Sequence, residues 1–344
     1  MKVLITGSKG YIGSRLCEII TQEYPMLNIT GIDSNFYSST KKTKNYLFIK
    51  KDVRDIKLND LKKVEAVIHL AALSNDPLGQ LNPKLTKDIN YSATVKLARI
   101  AKKQKVKKFI FISTQSVYGI SKYINRTIKE YDKNIKPITV YAKTKLKAEK
   151  KILDMADKNF CVTILRPSTV HGPSKNFRSD IVLNNLCGSA YSSKKIIIKT
   201  NGKPYRPVLY IDDLCKIIFA CLFKKSKEIN KQIYNVGYPG KNYSILQIAK
   251  MVKKVFKDSQ IVVLNNPSHD ERSYKVNFDL ISKKFSSIIN FKNKNITSDI
   301  KKIKIYLKKE KFTLEKFQNE ETNRIMMLKK LLKEKKLNKN LRFN

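Results

Sequence analysis

The 344-residue chain is predicted to be an α/β protein, a doubly wound parallel sheet followed by a smaller C-terminal lobe. Three observations carry that expectation. Short apolar runs alternate with segments of helical periodicity through the first half, glycines cluster where the first run gives way to the first helix, and the alternation breaks up after residue 166.

The expected strands are Lys2–Thr6, Asn28–Asp33, Leu47–Lys50, Ala66–Leu70, Lys108–Ser113 and Cys161–Arg166. Runs such as Phe109 to Ile112 leave no polar face, which suits strands covered on both sides. Between them, "NYSATVKLARIAKKQ" and "YAKTKLKAEKKILDMA" space their apolar residues as helices do. Pro167, Pro173, Pro204, Pro207 and Pro239 then mark loops. The expected division is residues 1–166 for the first domain, with return segments near 205–236, and residues 167–344 for the lobe and a helical tail. That tail, from about Asn319, places Ile325, Leu328 and Leu332 on one side, a face for packing on the lobe or for a partner, and packing is the expectation.

Composition excludes several classes. The five cysteines are scattered without CxxC pairing and His69, His171 and His269 lie far apart, so no metal site is expected. Met1 and Lys2 run directly into a strand, which leaves no room for a signal peptide. The longest apolar stretch, "IIFACLF", is far short of the ~20 residues of a membrane span. A cytoplasmic protein without membrane insertion is the expectation. Lysine and arginine number 71 against 28 acidic residues, a net charge of +43. Lysine recurs everywhere rather than in one stripe and only 10 of the 71 are arginine, so no specific nucleic-acid partner is expected. Where lysine can serve, this chain uses it, which singles out its few arginines for sites that need a planar fork.

"VLITGSKGYIGSRL" puts Gly7, Gly10 and Gly13, with Tyr11 and Ile12 between them, at the strand-to-helix turn. Glycine permits the tight turn and close backbone approach, and the helix amino end offers N–H groups to a pyrophosphate, a Rossmann-type dinucleotide site. About 20 residues on, "TGID" ends the second strand in Asp33, placed to hold both ribose hydroxyls. A carboxylate there repels a 2′-phosphate, and the following "SNFYSS" offers no arginine to receive one, so NAD is expected rather than NADP. Asp52 and Val53 in "KKDVRD" fall near the adenine edge. Leu70, Ala71 and Ala72 in "HLAAL" give a small-residue path past the pyrophosphate, and Ser113 ends the fifth strand on the cofactor side.

"YAKTK" places Tyr141 and Lys145 four residues apart at a helix start, on one face. A free phenol titrates near ~10, and a fixed lysine charge favours its anion, which can then take the proton of an alcohol as carbon gives a hydride to NAD. Thr114 in "STQSVYG" supplies a hydroxyl beside them.

These motifs, in this order and spacing, resemble the extended short-chain dehydrogenases/reductases, specifically the nucleotide-sugar epimerase/dehydratase branch. The resemblance continues through "LRPSTVHGP", "NGKPYRPVLYIDDL", "YNVG" and "DERSYKVNFD". It implies an enzyme with a nucleotide-sugar substrate, Thr114, Tyr141 and Lys145 as its catalytic residues, and Asn90 on the cofactor-side helix. It implies that Arg206 grips the substrate diphosphate, that Arg272 and Tyr274 make a second phosphate or nucleotide contact, and that Asn184 and Asn185 face the nucleotide. A homodimer formed through helices 90–104 and 141–157 is also implied.

Members of this branch share oxidation at carbon 4 of the sugar. The 4,6-dehydratases place Asp-Glu immediately after the threonine, whereas Gln115 and Ser116 stand here and neither ionises near neutral pH. Dehydration is thereby disfavoured and a 4-epimerase similar to UDP-glucose 4-epimerases is expected. The stretch "AALSNDPLGQLNP" is also similar to enzymes that oxidise carbon 4 of GDP-heptoses for surface polysaccharides, and it offers Ser74 and Asn75 as sugar contacts. A non-catalytic NAD-sensing scaffold has no physical need for the intact Thr114, Tyr141 and Lys145.

Overall fold

The computed structural model describes residues 1–37, 45–120, 126–264 and 272–344; His269 lies outside them. Twelve strands are described: β1 Lys2–Thr6, β2 Asn28–Asp33, β3 Leu47–Lys50, β4 Ala66–His69, β5 Lys108–Ile112, β6 Cys161–Pro167, β7 Thr169–His171, β8 Lys195–Ile198, β9 Tyr205–Tyr210, β10 Gln232–Val236, β11 Asn242–Ser244 and β12 Gln260–Val263. Seven form one sheet in the order β10-β6-β5-β4-β1-β2-β3, every pair parallel. This is the doubly wound Rossmann-type arrangement. The strand order reverses between β1 and β4, and a ligand crevice opens at such a point.

Neighbouring residues of the buried strands point to opposite faces. Val3, Ile5, Ile68 and Ile110 join one core with the helices Tyr11–Glu23 and Ile211–Phe223. Leu4, Val67, Phe109 and Phe111 join the other with the helices Ala93–Lys103 and Val140–Leu153. On the first face Arg15 reaches Asp212 through two hydrogen bonds of 2.7 and 2.9 Å, tying its two helices together. The segment 205–236 is split. β10 joins the main sheet beside β6, whereas β9 pairs with β7 and β11 in a separate three-stranded sheet.

A third core lies in the C-terminal half, where the helices Val182–Ser193, Ile245–Val255 and Ile296–Lys309 enclose the pair β8-β12. The tail does not pack there. Leu328, Leu337 and Leu341 are buried in the second core, against the main sheet and its helices. The physical reason is occupancy: Ile296, Ile300, Ile303 and Leu307 already fill the apolar side of the third core. Among the described residues no helix is long and apolar enough to cross a membrane. His69 is a satisfied core residue, bonded to Thr6 Oγ1 at 2.6 Å and Thr94 Oγ1 at 2.8 Å, and burial pulls its pKa down to about 3.

Candidate active site

A cavity of about 670 Å³ runs from the C-terminal ends of β1, β2 and β4 into the C-terminal half. Gly7, Gly10, Tyr11, Ile12 and Gly13 form one end of its wall with Asp33, Asp52, Val53, Leu70, Ala71 and Ala72. The turn admits only glycine at two places. Gly7 has a φ of +74°, and a Cβ there lands 2.7 Å from the Ala71 nitrogen; a Cβ on Gly13 lands 2.0 Å from the Gly7 carbonyl oxygen. The two glycines let backbone pack directly on backbone, the turn against the residues after β4 and the helix against the turn, and this leaves the amino end of the helix Tyr11–Glu23 on the cavity wall, where its N–H groups fit a pyrophosphate.

Asp33 accepts from the Lys9 N–H at 3.0 Å and the Asn35 N–H at 2.7 Å. Burial raises its pKa against these two bonds and the positive charges of Arg324 and Lys9. Each carboxylate oxygen keeps a lone pair for a ribose hydroxyl. Asp52 is more committed, because Arg54 contacts it through its backbone N–H at 2.8 Å and its guanidinium at 2.8 and 2.9 Å. Burial pushes that carboxyl up, but the Arg54 bonds and charge outweigh it and hold the pKa below its ordinary value.

Midway along the cavity lie Ser113, Thr114, Ser116, Tyr141 and Lys145. β5 ends at Ile112, and Thr114 caps the short turn Gln115–Tyr118 by accepting from the Ser116 N–H at 3.1 Å. Thr139 caps the helix Val140–Leu153, fixing Tyr141 in its first turn. The Tyr141 phenol and the Thr114 hydroxyl share this stretch of the wall. Burial raises the pKa of the phenol, opposed by Thr114 and by the charge of Arg178. Lys145 is 2 % exposed, donates to the Ile112 carbonyl at 2.7 Å and lies 4.5 Å over the Phe111 ring. Burial pulls its pKa down to about 7.

Gln115 and Ser116 diverge. Ser116 stands on the cavity wall, whereas Gln115 is 1 % exposed and donates to the Arg166 carbonyl at 3.1 Å, inside the protein. Beneath them Ser113 donates to Glu149, which forms a fully buried ion pair with Arg166 at 2.6 Å.

Towards the C-terminal half the wall carries Ser74, Asn75, Asn185, Arg206, Arg272 and Tyr274. Asn75 caps the helix Asp76–Leu81 and also donates to Asp180 at 2.9 Å. Arg206 lies over the Tyr274 ring at 5.6 Å and donates to the Tyr205 and Arg272 carbonyls, and Arg272 pairs with Asp76. Two expected residues are not on the wall. Asn90 is fully buried and bonds both the N–H and the carbonyl of Leu73, holding the loop after β4. Asn184 is fully buried too, accepting from the Gly172 N–H and donating to the Arg178 carbonyl and the Tyr11 hydroxyl, so it braces the wall from behind.

The sequence reading missed Arg178, Asp180, Tyr37 and Arg324, all on the wall. Arg178 bonds Ser74 through its carbonyl at 3.1 Å and its hydroxyl at 3.2 Å, and grips Asp180 at 2.7 and 2.9 Å. Rarity of arginine was the signal that marked both Arg178 and Arg324, since each is one of only ten.

Comparison with known proteins agrees with this geometry. The chain is 29% identical over 272 residues to the dTDP-D-glucose 4,6-dehydratase of Bos taurus, covering 75% of this chain and 74% of that one. It is equally 29% identical over 272 residues to a UDP-glucuronate 4-epimerase of Thermodesulfobacterium geofontis, covering 73% and 80%. The solved UDP-glucuronic acid 4-epimerase of Bacillus cereus, in complex with UDP-glucuronic acid and NAD, is 27% identical and superposes with a TM-score of 0.74 over 90% of this chain and 100% of that one. Residues 3–237 match the family described as the NAD dependent epimerase/dehydratase family, and the chain, an enzyme with NAD as its cofactor, belongs to that family.

Proposed function

We propose that the protein is a nucleotide-sugar 4-epimerase that works by transient oxidation at carbon 4. The observation that carries this reading is the set of side chains around Tyr141: a hydroxyl at Thr114, a second at Ser116, and a Gln115 amide turned away into the core. A dehydratase needs an added acid and base at these two positions, and neither side chain ionises.

Tyr141 takes the proton of the carbon-4 hydroxyl, relayed or shared with Thr114, and returns it after inversion. Bound NAD supplies the acceptor and donor of the carbon-4 hydride. Lys145, on the same helix one turn on, lies on the cofactor-side wall, where Gly7 to Gly13 and Asp33 hold the dinucleotide. Arg206, Arg272 and Tyr274 bind the substrate nucleotide's phosphates, and Ser74 and Asn75 face the sugar, with Arg178 fixing Ser74 in place.

The test is to incubate purified protein with NAD and a panel of UDP-, GDP- and dTDP-sugars, reading product mass and proton NMR together. A rearranged sugar of unchanged mass is the expected result. A product lighter by two hydrogens with NADH formed replaces the reading with a carbon-4 dehydrogenase, and loss of water replaces it with a dehydratase.

A further inference from the structure

The segment 319–344 has no part in the chemistry above, yet it is fastened to the cofactor end of the molecule. Its helix Arg324–Lys333 buries Leu328 in the core that holds Ile32 and Val53, and Leu337 and Leu341 follow it there. Its last residues are tied to the loops after β2 and β3. Arg342 pairs with Asp55 and lies 3.5 Å from Asp52, and Arg54 donates to the Asn340 carbonyl at 3.0 Å. The Phe343 ring stands 5.7 Å from Phe36, with Lys50 3.9 Å over it.

At the start of that helix the chain enters the cavity: Asn323, Arg324 and Ile325 line it beside Asp33, Phe36 and Tyr37. Arg324 is 3 % exposed. Its guanidinium donates to the carbonyls of Tyr37 at 3.3 Å and Asn176 at 3.1 Å, and lies 4.3 Å over the Tyr37 ring. Asp180 and Asp33 act on it as charges rather than as hydrogen-bond partners, and Arg178 repels it. The Tyr37 hydroxyl is buried with no hydrogen-bond partner among the described residues. A buried cation without a bonded carboxylate and a buried phenol without a partner both call for a ligand, one that is anionic and bears oxygen donors and acceptors.

Asp33, at the end of β2, marks this as the adenosine half of the dinucleotide site. We propose that the C-terminal segment is part of that site, with residues 323–325 closing over the adenosine half of NAD, Arg324 and Tyr37 contacting its ribose and phosphate oxygens, and the Arg342 and Phe343 ties slowing its release. This rests on the family's cofactor and not on the epimerase reading. An arginine thus reaches Asp33 from far along the chain, although the residues directly after β2 offer none.

The experiment measures NADH binding and release on the full-length protein without any sugar, by equilibrium fluorescence and by stopped-flow displacement with excess NAD. Arg324→Met is expected to weaken NADH and ADP-ribose by about 10- to 100-fold, the scale of a lost charged hydrogen bond, and to leave nicotinamide mononucleotide unchanged. Tyr37→Phe keeps the ring and removes only the hydroxyl, so it should weaken NADH and ADP-ribose more mildly and leave nicotinamide mononucleotide unchanged. The double variant Arg342→Ala, Phe343→Ala should release NADH at least about tenfold faster. Should Arg324→Met misfold, the other two variants, checked for native melting and circular dichroism, still decide the matter. Wild-type affinities and release rates in these folded variants would overturn the proposal and leave the segment a purely structural strap. Because no sugar is present, failure of the epimerase reading leaves these results untouched.

Discussion

Tyr141 is held as a phenol by its burial, and the polar groups that pull the other way are Thr114 and Arg178. Its acid–base work requires the anion. With a pKa raised above the ordinary tyrosine value, the anionic fraction is small at neutral pH and grows as pH rises, so turnover at saturating substrate should climb from neutrality into the alkaline range. Tyr141→Phe is expected to lower turnover by about 10² to 10⁴ with NADH affinity unchanged in a fluorescence titration. Activity that survives this change, or a pH profile that falls on the alkaline side from pH 7, removes Tyr141 from the role of base. Individual residues were legible in the sequence where a short motif fixes them, as with Gly7, Asp33, Thr114, Tyr141 and Lys145. Arg178 and Arg324 were not, because their place on the wall is made by contacts with Ser74 and Tyr37, which lie about 100 and nearly 300 positions away. Asn90 and Asn184 were legible as important polar residues but not as supports, since only the fold shows that their amides are spent on the Leu73 and Gly172 backbones.

At the scale of elements, β1, β4, β5 and β6 could be read because they are buried on both faces and so are largely apolar, whereas β3 lies half exposed at the sheet edge and β10, with Gln232 and Asn235, was not among the expected strands. β7 and β11, three residues each, were not, since three residues display no period. The helix Asp76–Leu81 shows what a short element adds to the site. It sits against the start of the helix Val140–Leu153 at Gly79, where a Cβ would lie 2.9 Å from the Tyr141 Cβ. Gly79→Ala therefore forces one of the two helices to give way, and Tyr141 is the residue it displaces. Turnover should drop by about 10²-fold, the cost of a misplacement of order 1 Å. NAD affinity should hold, because Gly79 is remote from the glycine turn. Steady-state kinetics beside a cofactor titration checks this; loss of both together means that the substitution unfolds the domain rather than moving the base.

Across the whole molecule the balance of 71 basic to 28 acidic residues leaves a positive field that no fold can neutralise internally. The tail shows the local consequence, for Arg342 reaches the acidic pair Asp52 and Asp55, and carboxylates are too few for the basic side chains that remain. Two effects of added salt then compete. Screening weakens exposed ion pairs, each of which contributes only about 0–1 kcal/mol. It also relieves the repulsion among all the excess cations, as the Debye length falls from about 30 Å at 0.01 M to about 8 Å at 0.15 M. With acidic partners outnumbered so heavily, relief should dominate, and the melting temperature should rise between those two ionic strengths. The same screening should strip the protein from immobilised DNA at modest salt and with no preference for sequence, as counterion release dictates for purely nonspecific attraction. A melting temperature that falls with salt would show that the ion pairs outweigh the repulsion. Retention on one DNA sequence that persists at the higher ionic strength would show that the charge is organised for a partner, against the scattered placement of lysine along the chain.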